Sequence, residues 1–395
     1  MRSARRPACG RSSGMSKCAT HSVYSEAVIF LAIVIAVFLP LNVIAYRALV
    51  TIHPRRRAWF IVLTVIGNAM WLLLPMLRME TDVVRVLRAI LAPPWFAWQC
   101  VIFLYCVFLL IVVIVRAPYR RPSQVFLILL AIGGLAGVWG CLVPIHIDRV
   151  TVTLDDLPPA LDGKRIALMG DLHVGLFTRP SRLRQLFATA GSLKPDMVML
   201  AGDLVDDNPY YVPKLLEGTR ALDPAIPLLG VLGNHEMYGA PFEAISKMRG
   251  SRIRLLVNEG AAVSGLWICG LSDYAAREPS LRPNLDAAMA GRPANAYPIV
   301  VAHQPKAFAD ARARNVKLTL CAHTHGGQLG IRPLGWTLAG VFLRYHIGLY
   351  REQGAQLYVH TGAGYWVLPF RLGITPEVSL IELRSGGARR TSPRS

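Results

Sequence analysis

Acid is scarce in this chain. Of its 395 residues only 24 are Asp or Glu, against 43 Lys or Arg, and the formal net charge is +19. The shortage is concentrated at one end: Glu26, Glu80, Asp82 and Asp148 are the only carboxylates in the first 149 residues. The arginines of that region lie beside long apolar runs, a placement that fits membrane flanks better than a nucleic-acid surface. Cysteine is sparse as well. The seven cysteines form no CxxC pair and no zinc-finger spacing, which excludes a disulfide framework and a thiolate zinc site. No aromatic-plus-basic RNA module is present, so nucleic acid is not an expected partner.

What the chain does have is apolar residues, 53% of the total and unevenly spread. Residues 1–22 are polar and basic (Arg2, Arg5, Arg6, Arg11, Lys17) and read as a disordered tail, with Met15 an alternative start. Residues 23–145 then carry four runs: Ala27 to Tyr46, Ala58 to Leu77, Trp95 to Val115 and Val125 to Val143. Each matches the ~20 residues that cross a bilayer. The first is too long, and too closely followed by the second, for a cleaved signal peptide. Four runs with Arg-rich, acid-poor connections argue against a buried helical domain and for an all-α, four-span transmembrane region. Between the second and third runs, Asp82 to Leu91 sets Val83, Val84, Leu87 and Leu91 opposite Arg85 and Arg88, as in a short interfacial helix. Gly133 and Gly137 form a GxxxG helix-packing motif.

The loops set the orientation. The first connection (Arg47, Arg55, Arg56, Arg57) and the third (Arg116, Arg120, Arg121) are short, basic and free of acid. They belong on the cytoplasmic side, which makes this a multi-pass plasma (inner) membrane protein with its C-terminal domain outside the cytoplasm. The basic N-terminal tail pulls the other way unless translation begins at Met15.

After Pro144 the pattern changes to alternating strands and amphipathic helices, an α/β domain spanning 150–384, before a short disordered tail at 385–395. Helices are expected at Ser181 to Ala190, Pro213 to Leu222, Pro241 to Met248 and Pro305 to Arg314. Strands are expected at Val150 to Leu154, an edge, and at Leu255 to Val257, Leu266 to Cys269, Gln356 to Val359 and Val378 to Leu383.

Five further strands end in metal-ligating residue types. Ile166 to Met169 is followed by Gly-Asp171-Leu-His173, Met197 to Ala201 by Gly-Asp203-Leu-Val-Asp206, and Leu228 to Leu232 by Gly-Asn234-His235-Glu236. Ile299 to Ala302 ends in His303, and Leu318 to Ala322 in His323-Thr-His325-Gly-Gly-Gln328. Two positions apart on extended chain, Asp171 and His173 point the same way. Asp171, His173, Asp203, Asn234, His303, His323 and His325 have the composition of a two-metal hydrolytic site. Carboxylate, imidazole and amide donors without thiolate suit Mn, Fe, Zn or Co. The glycines before Asp171, Asp203 and Asn234 are expected to permit sharp turns.

These ordered motifs resemble those of the calcineurin-like metallophosphoesterases, and within them the chain is similar to the membrane-associated YkuE-type branch. The resemblance covers about Lys164 to Leu383. It implies a four-layer α/β/β/α sandwich of two facing mixed sheets, and two divalent metal ions. On it, Asp171, His173 and His325 would hold the first ion, Asn234, His303 and His323 the second, and Asp203 would bridge. His235 would not bind metal but would stabilise the transition state or protonate the leaving oxygen, oriented by Asp206. Two departures stand out: Ala322, where glycine usually precedes His-x-His, and Glu236 in place of the more frequent Asp.

The implied reaction is hydrolysis of a phosphomonoester or phosphodiester by a metal-bridging hydroxide, on a lipid-linked substrate if the spans hold the site near the bilayer. The rival readings are a non-catalytic membrane scaffold or sensor, and a nuclease. His346, His360, Arg179, Arg371 and the Tyr365-Trp366 pair are weaker candidates for substrate contact, with structural or solvated roles the plainer reading.

Overall fold

The computed structural model describes residues 32, 36–76 and 82–386. The chain divides into two compact units, Met1–Ala131 and Ile132–Ser395. In the first unit, α1 (Ala36–Ile52), α2 (Arg57–Met76) and α3 (Asp82–Ile114) precede α4 (Arg120–Gly140), whose last turns belong to the second unit. Among the described residues two helices, Ile90–Ile114 and Arg120–Gly140, are long and apolar enough to cross a membrane; α1 is shorter. The start of the first expected run lies, apart from Ala32, outside the described residues, as does the N-terminal tail.

The expected interfacial helix is not separate. Asp82 to Leu91 and the third apolar run form one 33-residue helix with Pro93 and Pro94 inside it. Each proline removes one backbone donor, a loss that packed neighbouring helices can tolerate. Several polar residues of the first unit are paired within it. Gln99 donates to the Gly67 carbonyl at 3.0 Å and accepts from Asn42 at 3.1 Å, and Trp95 donates to the same carbonyl at 2.8 Å. Asn68 donates back to Thr64 in its own helix.

The second unit is built on two six-stranded sheets. In the first the order is β1 (His146–Leu154), β14 (Glu377–Ser385), β2 (Arg165–Met169), β3 (Met197–Ala201), β4 (Leu228–Val231) and β5 (Arg254–Leu255). In the second it is β12 (Gly348–Glu352), β13 (Ala355–Val359), β9 (Leu318–Cys321), β8 (Tyr297–Val301), β7 (Leu266–Gly270) and β6 (Glu259–Val263). Both are mixed. β2 to β5 run parallel, with β14 antiparallel to β2; β7, β8, β9 and β13 run parallel, with hairpin partners β6 and β12 at the two edges.

The alternation of side chains on β2 explains its unbroken apolar run. Ile166 and Leu168 enter the core shared with Ile268, Ile299 and Leu320 of the other sheet. Ala167 and Met169 enter a second core with Leu183 and Phe187 of α5 (Pro180–Ser192), Leu215 of α6 (Val212–Thr219), and Ile245 of α8 (Pro241–Met248). On the far side of the second sheet, Cys269 and Val300 pack with Leu285 of α9 (Leu285–Met289) and Phe308 of α10 (Ala307–Ala313). The layers therefore run helix, sheet, sheet, helix. The short α7 (Asn234–Tyr238) follows β4 directly.

The strands that sequence patterning missed are the edges. β6 and β12 are mostly only half-buried, with Ala261 the one fully buried residue between them, so Glu-Gly-Ala-Ala-Val and Gly-Leu-Tyr-Arg-Glu need no apolar run. The hairpin of β10 (Gly330–Ile331) and β11 (Trp336–Thr337) is two residues deep, below what periodicity can register. The GxxxG pair does not face another helix among the described residues: a Cβ added to Gly133 would meet nothing beyond its own helix, and one on Gly137 would meet the ring of Phe370.

Candidate metal centre

Five strand ends converge. Beyond β2 and β3 the chains stay paired for a few residues: Asp171 N donates to Gly202 O, and His173 N to Asp203 O, each at 3.0 Å. This short extension sets Asp171 and Asp203 side by side. From the other sheet, His323 N donates to both carboxylate oxygens of Asp171, at 3.1 and 3.2 Å. His235 N donates to Asp203 Oδ1 at 2.9 Å. Both carboxylates are thus aimed by backbone amides before any ion is considered.

The seven candidate residues form two adjoining groups. In one, Asp171, His173 and His325 offer ligand atoms close enough to share an ion. His173 Nε2 and His325 Nε2 are 3.0 Å apart, and Asp171 Oδ1 is 3.8 Å from the His325 ring. In the other, Asp203, His303 and His323 do the same. His303 Nε2 lies 3.1 Å from Asp203 Oδ2, 3.0 Å from Asn234 Oδ1 and 3.1 Å from His323 Nδ1. Asp203 reaches both groups, since Oδ2 is also 3.5 Å from His173 Nε2. His303 Nδ1 sits 2.8 Å from the Ala201 carbonyl, which can only accept, so Nδ1 carries a proton and Nε2 faces the group.

The local backbone is costly. Asp171, His173, Asp203, His323 and His325 all have positive φ, from 43° to 79°. Non-glycine residues rarely adopt this region, and such strain gathers at functional sites. Of the three glycines expected to make turns, only Gly202 does so (φ 83°). Gly233 serves close approach instead: a Cβ there would collide with the Asp203 carboxylate.

The electrostatics fit a cation. Asp171 is fully buried, and burial, reinforced by Asp203, pushes its carboxyl up to about 6 despite His303 and His173. Burial and the neighbouring His303 push His323 down to about 3, and burial holds His325 well below the ordinary range. His173 Nδ1 is buried with no hydrogen-bond partner. Two nitrogen–nitrogen contacts near 3 Å can each hold at most one proton between them. A divalent ion in each group would take up these lone pairs and offset the carboxylate charge.

Residues 164–327 match the family model described as calcineurin-like phosphoesterase. A Helicobacter pylori protein named an uncharacterized metallophosphoesterase is 32% identical over 240 residues, covering 60% of this chain and 63% of that one. A zebrafish transmembrane protein with metallophosphoesterase domain is 31% identical over 278 residues, covering 67% and 63%. The uncharacterized metallophosphoesterase YkuE of Bacillus subtilis is 27% identical over 284 residues, covering 65% and 92%. The chain carries a calcineurin-like metallophosphoesterase domain. It spans about 63% of the length of the Helicobacter and zebrafish relatives.

Around the two groups, the phosphoesterase domain places residues whose roles the sequence under-specified. His235 Nδ1 is 3.4 Å from Asp206 Oδ1, but Asp207 Oδ1 is closer, at 2.7 Å, though not aligned for a hydrogen bond. Burial disfavours the His235 charge, and the two carboxylates outweigh it, raising the imidazole to about 11. His235 also lies within ligand reach of His173 and Asp203. Glu236, a departure from the usual Asp, has a clear structural task. It is buried and accepts from Leu204 N, Val205 N and Gly233 N at 2.7–2.9 Å, tying the turn after β3 to the turn after β4.

Ala322, the other departure, is also accommodated: its methyl occupies the space that a Cβ on Gly170 would need. Arg371 is no surface arginine. It is fully buried, donates to Gly364 O and Thr361 O, and stands 3.2 Å from His325 Nδ1. Trp366 packs edge-on toward His235, its ring centre 6.3 Å away, and its backbone is pinned by Gln328 on both sides. Arg179 is exposed. His346 contacts Thr337 through Nδ1 at 3.0 Å, and His360 is buried beside Glu377; neither is among the residues that gather into the two groups.

Proposed function

We propose that this protein is a membrane-anchored phosphoesterase with a two-metal centre. Asp171, His173 and His325 would hold one divalent ion, Asn234, His303 and His323 the other, and Asp203 would contact both. Ions of the Mn, Fe, Zn or Co class would supply charge compensation for the phosphoryl oxygens and a water acidic enough to react near neutral pH. The chain's own contribution is positioning and proton supply. The amides of His323 and His235 aim the two carboxylates, and the charged His235 faces the space beside both groups as a donor for the leaving oxygen. The carboxylates of Asp206 and Asp207 beside that imidazole would favour its charged form, and Asp206 would orient it.

The membrane part of the reading rests on apolar helices that leave their side chains uncovered, such as Val113 (71% exposed) and Leu135 (73%). A helix in a soluble core would bury them. We assign four spans within residues 23–145, a phosphoesterase domain at 150–384, and a site outside the cytoplasm. A site tethered beside a bilayer favours a phosphoester carried on a lipid.

The observation that carries the proposal is the pair of adjoining ligand groups with Asp203 reaching into each. The test is Asp203→Asn in the purified full chain loaded with Mn. Turnover of bis-p-nitrophenyl phosphate should fall to background and both ions should be lost on dialysis. Wild-type protein that binds two ions and hydrolyses no phosphoester would favour the scaffold reading.

A further inference from the structure

The loop that walls the site is fastened at both ends to apolar, solvent-exposed structure. At one end is α4. Its last carbonyls lack helical partners, and Arg371 N fills one of these vacancies, donating to Gly137 O at 2.8 Å. The approach is close enough that a Cβ on Gly137 would strike the Phe370 ring, and one on Gly140 the Arg371 carbonyl. Leu135 and Trp139, on the same stretch of α4, are 73% and 67% exposed.

At the other end is the segment that follows His325. Gly330 N donates to Leu372 O at 2.9 Å, and Leu372 N donates to Gln328 O at 2.8 Å. From that base the chain runs out through the β10–β11 hairpin and a turn to Leu343. There Leu334 (74% exposed), Val341 (59%) and Phe342 (79%) stand in solvent with Trp336. Single exposed apolar residues are ordinary, but a run of large ones on one short segment marks a docking surface. No carboxylate occurs between Leu329 and Arg351, so nothing in the segment repels an anionic headgroup. Trp and Phe beside arginine are also the residue types that settle at a bilayer interface.

We infer that the segment from Ile331 to Leu343 is a lip that seats in the lipid leaflet beside the candidate site, so that substrate enters from that leaflet. The occupant is the bilayer because the lip is continuous, through the Trp366–Leu372 loop, with the apolar end of α4. To that extent the inference rests on reading α4 as a membrane span. The lip itself has no part in the ligand groups, so docking and catalysis can fail separately.

The test replaces Phe342 with p-benzoylphenylalanine in the full chain, expressed in cell membranes. The control is the same replacement of Lys194, which lies at the amino end of β3, opposite the site. After irradiation, phospholipid adducts at position 342 should exceed those at 194 by about tenfold. Adducts to a second copy or to another protein, or equal labelling at the two positions, overturn the inference. A second arm uses Leu334→Asp with Phe342→Asp in vesicles of phosphatidylcholine and phosphatidylglycerol. Hydrolysis of a p-nitrophenyl phosphodiester of diacylglycerol should fall at least about fivefold, while soluble bis-p-nitrophenyl phosphate turns over as before. Parallel losses on both substrates overturn the inference. If the wild type hydrolyses neither, the catalytic reading fails and the adducts alone decide the docking.

Discussion

His235 stands between two carboxylates, and the one spaced as a motif is the farther. Asp206 follows Asp203 by three residues and was readable as its partner, yet Asp207 comes within 2.7 Å of the ring. Which of two adjacent acids turns inward depends on backbone torsion, here a positive φ of 45° at Asp207, and no spacing rule carries that. The candidate ligands were readable for a simpler reason. A short polar side chain directly after a buried strand has only the sheet's end to face, and five strands ended so. Arg371 was not readable, because an arginine in a loop is ordinarily solvated, and its burial depends on the carbonyls of Thr361, Gly364 and Ile374 brought together by the fold. At this scale the expectation for His235→Ala is a fall in kcat of about 10²–10⁴, the range for a lost general acid, with Asp171, His173, Asp203 and His303 still in place. Metal analysis of the purified variant checks it: retention of both ions supports the proton-donor role, and their loss would make His235 a ligand.

β14 shows what an element contributes beyond its apolar face. Its first residue, Glu377, is fully buried and accepts from Thr361 at 2.8 Å, Tyr358 at 3.0 Å, Ser379 at 2.5 Å and Arg332. The Tyr358 hydroxyl of β13 also lies 2.8 Å from Asp148 of β1, its single proton shared between the two carboxylates, so the two sheets are tied at one end by a polar cluster. The alternating pattern of β14 was visible in the sequence, but the cluster was not, since its members come from four separate segments. Burial alone would raise the Glu377 carboxyl; His360 and Arg332 outweigh it and hold it at about 2, below the ordinary 4.5. A carboxylate depressed on folding adds stability above its unfolded value and loses it as the pH falls toward the folded one. Glu377→Gln should therefore lower Tm clearly at pH 7, and the gap to wild type should close as the pH drops from about 4.5 toward 2. A gap that stays constant over that interval would mean the charge contributes nothing.

For the whole molecule, the proposed placement of the site outside the cytoplasm turns on one loop. The four apolar runs were readable from composition, but the number that cross was not, because length and hydropathy cannot separate a crossing helix from one that only lies against others. The count turns out not to matter for the site. If α4 crosses as proposed, it is the last span before the phosphoesterase domain whether two helices cross or four, so the side of the connection between α3 and α4 would fix the side of the domain. That connection carries Arg116, Arg120 and Arg121, all exposed, and no acid. Arginines in a loop this short favour retention in the cytoplasm. On the proposed membrane reading, the domain beyond α4 would be delivered to the opposite face, where a lip such as Leu334 to Phe342 would meet the outer leaflet. Alkaline phosphatase fused after Gly386 should be active and a green fluorescent protein at the same position dark. Fluorescence without phosphatase activity would put the domain in the cytoplasm. Exchanging Arg116, Arg120 and Arg121 for Glu distinguishes the cause: phosphatase activity should fall as the loop loses its hold, and an unchanged signal would mean that another part of the chain sets the topology.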